Sequence, residues 1–135
     1  MWEKLFNSAD FLQQGLQASW LRDSVIRNNI ANVETPGFKA SNVEFESILA
    51  KSLENGGFQG KQTRDKHINI GGTNFSDVSP VIHQDKSLSM RMDGNNVDIE
   101  AENVKLAQNT IQYNTVMTKL NSELARLKMA ISEGR

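Results

Sequence analysis

The side chains best suited to chemistry in this chain are two histidines, His67 and His83, and a short series of acids, Asp98, Glu100 and Glu102. A histidine can serve as a general base near neutral pH or ligate a metal, and grouped carboxylates can hold a divalent cation. Neither arrangement has the spacing such work needs. The histidines lie in a glycine-punctuated stretch with no second ligand at a helical or hairpin interval, which suits solvated or packing roles. The acids alternate with other residues where a helix should begin, and carboxylates there complement the positive end of the helix dipole. Gly71 and Gly72 are followed by no Lys–Ser/Thr pair, so they do not form a phosphate-cradling loop, and no serine sits in a nucleophile motif. With Cys 0, disulfides, thiolate metal sites and a cysteine nucleophile are excluded. The expectation is a protein that is not an enzyme and carries no cofactor and no metal.

The elements that hold these residues belong to a chain of 135 residues with net charge -1, room for one domain or one elongated helical unit. A pI near 6.1 offers no basic face for nucleic acid. No stretch approaches the roughly 20 apolar residues of a membrane-spanning helix. The N-terminal residues Glu3 and Lys4, then Leu5, Phe6, Asn7 and Ser8, lack the apolar core of a cleavable secretory signal.

Three zones follow from periodicity. Residues 1–32 read as one long helix, with a seam stepping by fours and threes through Leu5, Ala9, Leu12, Leu16, Ser19, Asp23, Ile26 and Ile30, widened by Trp20, Leu21 and Val25. Residues 33–92 hold a turn motif and a loop-rich middle segment. There the proline restricts the residue before it to extended geometry, and Pro36-Gly37 suits a type II turn. Phe45, Ile48, Leu49 and Leu53 fit a short amphipathic helix, Gly56, Gly57 and Gly60 favour loop, and Leu88, Met90 and Met92 alternate with polar residues as in a short strand or extended segment. This segment is too polar for a core of its own. Residues 93–135 open with turn residues Asp93, Gly94, Asn95 and Asn96 and continue as a helix from Asp98 to about Ser132, roughly 50 Å long. Its seam is Asn103, Leu106, Thr110, Tyr113, Met117, Leu120, Leu124, Leu127 and Ile131, with Arg126, Lys128 and Arg135 placing bases late. The fold expected is mainly α: long N- and C-terminal helices paired as an antiparallel coiled-coil-like hairpin, with a loop-rich middle segment containing short extended pieces.

Charge is missing where a solvated helix would carry it. No ionisable residue lies between Asp10 and Arg22, and from Leu106 to Thr118 the faces away from the seam carry Gln108, Asn109, Gln112, Asn114, Thr115 and Thr118. Neutral groups avoid a charge-burial penalty when the back of a helix meets other protein. Two functions are open on these grounds: a subunit surrounded by others in an assembly, or a free coiled-coil adaptor or secretion chaperone.

The run Asn28, Asn29, Ile30, Ala31, Asn32, Val33, Glu34, Thr35, Pro36, Gly37, Phe38, Lys39, Ala40 resembles the N-terminal signature of bacterial flagellar rod and hook proteins. Phe38 stands where that family often has tyrosine. Asp93 to Glu100, with Leu106, Ala107, Asn109, Tyr113 and the leucine-rich helix to Ile131, resembles the proximal rod members; the middle segment carries no such match, but the short length of the chain points the same way, since the distal rod and hook members have much larger middle domains. The resemblance implies a structural subunit of the proximal rod of the flagellar basal body, in the periplasm, exported by the flagellar type III apparatus. Its implied partners are further copies of itself in a heterologous helical assembly, other proximal rod proteins, the junction protein between rod and membrane ring, and the export gate. The candidate assembly residues are Leu12, Leu16, Trp20, Ile26 and Ile30 on the first helix. In the turn motif they are Asn32, Thr35, Pro36, Gly37 and Phe38, and on the last helix Leu106, Tyr113, Met117, Leu120, Leu124 and Leu127.

Overall fold

The computed structural model describes residues 2–55, 78–89 and 91–132. Helix α1 spans Trp2–Ala31, strand β1 Ser41–Glu44, helix α2 Glu46–Asn55, strand β2 Val81–Gln84 and helix α3 Ile99–Ser132. His67, the glycines from Gly56 to Gly72, Met90 and Arg135 lie outside the described residues.

The two long helices pack as an antiparallel pair. The direction is fixed by contacts that ascend one helix while descending the other: Asn29 meets Glu102, Ser19 meets Asn109, and a Cβ built on Gly15 would stand 3.8 Å from Val116. Apolar positions recurring at helical spacing give each helix a stripe that only a second helix covers, and here the stripe of α1 is buried at Ala18, Ser19 and Ile26. On α3 the face toward α1 runs through Glu102, Leu106, Asn109, Tyr113, Val116, Leu120, Glu123 and Leu127, all buried or half-buried. The expected seam is therefore rotated slightly: Asn103, Thr110, Leu124 and Ile131 are exposed, because a straight helix of 3.6 residues per turn drifts off a strict heptad over this length.

Asp98 begins α3 as its N-cap. Its Oδ1 accepts the backbone N–H groups of Glu100 at 3.0 Å and Ala101 at 3.3 Å, two of the donors a helix start leaves without partners. At the other end no basic residue lies in the described last turn, so Arg126 and Lys128 sit too early to compensate the dipole there.

The middle segment leans on α1. Strands β1 and β2 pair antiparallel, Ser41 opposite Gln84 and Glu44 opposite Val81. Ala18 of α1, Phe45 at the start of α2 and Val78 form a small buried cluster, with Ile48 and Leu49 of α2 packed on it. This bears out the amphipathic spacing of Phe45, Ile48 and Leu49, and the segment borrows Ala18 for its core. Of the short strand or extended segment expected at 87–92, the described residues form no strand. Leu88 and Met92 are fully exposed without regular structure, and the strand is Val81–Gln84, whose own residues do not alternate. Period-two spacing marks a strand only where one face is buried, and neither Leu88 nor Met92 has such a face.

Candidate functional site

At the turn end of the hairpin two distant motifs interlock. Phe38 donates its backbone N–H to the Thr35 carbonyl at 3.3 Å, and Gly37 sits at φ 72, the positive value required at the third position of a type II turn. The Gly37 N–H then donates to the Asp93 carbonyl at 2.7 Å, which brings up the second motif. Gly94, at φ 73, turns that motif back beneath the first.

Asn95 joins them. It is fully buried, and its Nδ2 lies 2.9 Å from the Asn32 carbonyl, 3.0 Å from that of Val33 and 2.9 Å from that of Thr35. Its Oδ1 accepts the Val97 N–H at 2.7 Å, and its carbonyl accepts the Ser89 hydroxyl. Asn32, Val33 and Thr35 follow the last residue of α1, and one asparagine NH2 from across the hairpin shares its two protons among their carbonyls, beside the Thr35 and Phe38 N–H groups that the Asn32 and Thr35 carbonyls also accept. Asn96 does the same for the strand, accepting the Ala40 N–H at 2.7 Å and donating to the Asp85 carbonyl at 3.2 Å.

One turn further along α1, the Asn29 amide pairs with both polar groups of Ser41, Oδ1 accepting its N–H at 3.0 Å and Nδ2 donating to its carbonyl at 2.8 Å. The same Nδ2 donates to Glu102 Oε2 at 3.0 Å. Glu102 is only 3 % exposed, and Lys105 Nζ donates to its other oxygen at 2.6 Å. A buried carboxylate is tolerated when paired and hydrogen-bonded in this way. Glu102 is thus more than a dipole complement: it ties α3 to α1.

Arg22 makes a third tie, donating to both Glu46 oxygens at 2.7 and 2.8 Å and to Gln112 Oε1 at 3.3 Å, so that α1, α2 and α3 meet at one guanidinium. Burial pushes the Glu46 pKa up, but the hydrogen bonds and charge of Arg22 outweigh it, and the net shift is downward. Asp93 is also held below the usual carboxylate range, chiefly by the Asn95 backbone N–H, and Asp85 chiefly by the Ser87 backbone N–H.

These groups hold chain segments together. No nucleophile is paired with a base in them, and among the described residues no three His, Cys, Asp or Glu side chains are grouped to hold a metal. His83 is exposed, 3.5 Å from Glu44. No helix among the described residues is long and apolar enough to cross a membrane.

The candidate assembly residues are distributed over the hairpin. Ile26 is buried, and Leu12, Leu16, Ile30, Leu106, Tyr113, Met117, Leu120 and Leu127 are half-buried between the helices. Asn32 and Phe38 are half-buried, while Thr35, Pro36 and Gly37 are exposed on the turn. Leu124 is exposed, and so is Trp20, at 70 %: it points away from the seam it was expected to widen. Sequence reasoning did not single out the structural roles of Asn29, Asn95, Asn96 and Glu102. The available signal was an asparagine inside a helix, where its propensity is poor, one turn before a stop.

No family model matches the chain. Individual relatives do. A flagellar basal body rod protein FlgB of Proteus mirabilis is 32% identical over 139 residues, covering 99% of this chain and 100% of the relative. The FlgB of Bacillus subtilis is 33% identical over 124 residues, 92% of each chain, and that of Borreliella burgdorferi 39% identical over 119 residues, 85% of this chain and 87% of its own. The chain belongs to the FlgB family of flagellar basal body rod proteins. It is a structural rod subunit, and in it the interlocked motifs set how two long helices leave a shared turn.

Proposed function

We propose that the chain builds the proximal rod by polymerising through its terminal helices, whose outer faces meet other subunits in heterologous contacts. One observation carries the reading: the helix pair is a single layer thick, and its outer surface is apolar where charge is missing. Trp20 and Ile111, one in each charge-free stretch, are both more than half exposed. In the same stretch of α3 the hydroxyls of Thr110, Thr115 and Thr118 turn back onto the carbonyls of Leu106, Ile111 and Asn114 at 2.8 to 2.9 Å. A threonine bonded to its own helix asks nothing of water, so such a face loses little when covered by protein. An open rod needs two different surfaces on each subunit, and two unlike helix backs supply them.

In this reading the partners are further copies, other proximal rod proteins, the junction protein of the membrane ring and the export gate. The chain reaches the periplasmic rod through the flagellar type III apparatus and performs no catalysis. The test is Ile111→Asp, which leaves the seam untouched and puts a charge on the outer face. The expected result is loss of swimming and of rod-bearing basal bodies with normal amounts of chain in the cell; normal swimming contradicts the reading.

A further inference from the structure

The β-ribbon has two edges, and the fold closes one of them. On β1, Ser41 turns its N–H and carbonyl away from β2, and the Asn29 amide takes both, at 3.0 and 2.8 Å. On β2 the ladder runs one residue beyond the strand, the Asp85 N–H donating to the Ala40 carbonyl at 2.7 Å. Main-chain groups alternate along a strand, so with Asp85 and His83 turned toward β1, Ile82 and Gln84 present their N–H and carbonyl groups outward. Among the described residues nothing pairs with that row. All four residues of β2 are exposed, and none is a lysine, an acid or a proline, the types that ordinarily keep a free edge from pairing.

The same chain holds a strand former without a sheet. Leu88 is 98 % exposed and stands between Ser87 and Ser89. Ser87 is bonded inward, its N–H donating to Asp85 Oδ1 at 2.9 Å and its carbonyl accepting from Lys39 Nζ at 3.0 Å. By the same alternation an extended Leu88 presents its own N–H and carbonyl outward. It is held off the edge of its own β2. Asp85 is bonded to Ala40 through its N–H and to Asn96 through its carbonyl, and the Ser89 hydroxyl is tied to the Asn95 carbonyl, so the segment stays against the turn. The open edge and the unpaired strand former therefore meet only between copies.

We propose that residues 87–89 of one copy add to the outer edge of β2 in a second copy as an antiparallel third strand, Leu88 and Ile82 exchanging N–H···O bonds. Val43 and Ile82 stand opposite each other in the ribbon and so project from one face, where Val43 is buried and Ile82 is 50 % exposed. In this register Leu88 projects from the same face and extends the apolar row from Val43 through Ile82, while Ser87 comes opposite the exposed His83 on the other face. Main-chain bonds hold such an added strand, and the alternate side chains select it. A second copy is the occupant because one sequence carries both halves, and the apolar residue of the strand former falls on the apolar side of the edge. This inference rests on the reading of the chain as a self-assembling rod subunit, and it adds to the helix contacts one made by the middle segment.

The test uses the absence of native cysteine. One chain carries His83→Cys and another Ser87→Cys, positions that form a non-hydrogen-bonded pair in the proposed register, where side chains come closest. The two chains are produced together, and isolated basal bodies are mildly oxidised. The expected product is a disulfide-linked dimer of the two, absent when either chain is produced alone. Adding Leu88→Asp to the Ser87→Cys chain changes a side chain that is fully exposed in the single copy, and it is expected to lower the linked fraction about tenfold. Ile82→Pro in the His83→Cys chain removes an outward N–H at an edge position and is expected to do the same. Basal bodies that contain both chains and no mixed dimer overturn the strand addition and leave the rod reading standing. So does a dimer that Leu88→Asp leaves unchanged, or one that either chain forms as readily alone. Basal bodies lacking even the unsubstituted chain overturn the rod reading, and the strand addition with it.

Discussion

Asn95 is a polar residue at a place where an apolar one would seem natural, and its substitution has calculable consequences. Asn95→Ala takes the amide from the Val33 carbonyl and leaves those of Asn32 and Thr35 with only their backbone N–H partners, and we expect a loss of about 1–3 kcal/mol. Asn95→Asp should cost more, since a carboxylate would face three carbonyl oxygens. Urea denaturation followed by helical circular dichroism checks both, and unchanged midpoints would show that the amide does not hold the turn. Gly37 is a different case. Nothing lies within 4 Å of a Cβ built on it, so the cost of Gly37→Ala is conformational alone, about 1–2 kcal/mol for an L-residue at φ 72. Gly37→Asn, which tolerates positive φ, should retain more stability and more swimming than Gly37→Ala; the reverse order contradicts the turn. Gly37 was legible in the sequence because Pro36-Gly37 is a local signal. Asn95 was not, because its partners are some 60 residues away and such pairing leaves no periodicity in the chain.

Between elements, the ties are ionic as well as amide, and they respond to acid. Glu46, Asp85 and Asp93 have folded pKa values below their ordinary ones, so their contribution is complete above the unfolded carboxylate pKa and is lost as pH falls through the folded value. The turn and the docking of α2 on α1 should therefore loosen below about pH 4, where unfolded carboxylates take up protons. Glu46→Gln should remove part of that acid sensitivity at a cost at neutral pH of about 1 kcal/mol or less, because the Glu46 carboxylate is more than half exposed. A pH series of urea midpoints for the two chains measures this, and identical acid slopes contradict the role of Glu46. The long helices and α2 were readable from their spacing, since each has one face that only packing covers. Strand β2 was not: Val81 and Ile82 stand adjacent, both partly exposed, and the pairing with β1 that makes them a strand is long-range.

For the whole molecule, the paired helices are stiff and thin, joined through an interlocked turn, with a small β-ribbon and α2 resting on one flank of α1. The antiparallel hairpin was legible because two charge-poor helical stretches flank one strong stop. Which outer residues face away from the pair was not, because a heptad count drifts over a helix of roughly 50 Å, and an aromatic residue such as Trp20 fits the seam and a contact between subunits equally well. The proposed assembly covers the charge-poor faces that leave Trp20 and Ile111 exposed in one copy. A density map of the intact basal body tests this most directly. The account predicts α1 and α3 traceable within the rod, with Trp20 and Ile111 enclosed by neighbouring subunits. A rod lacking this chain, or one in which both side chains face solvent, would contradict it.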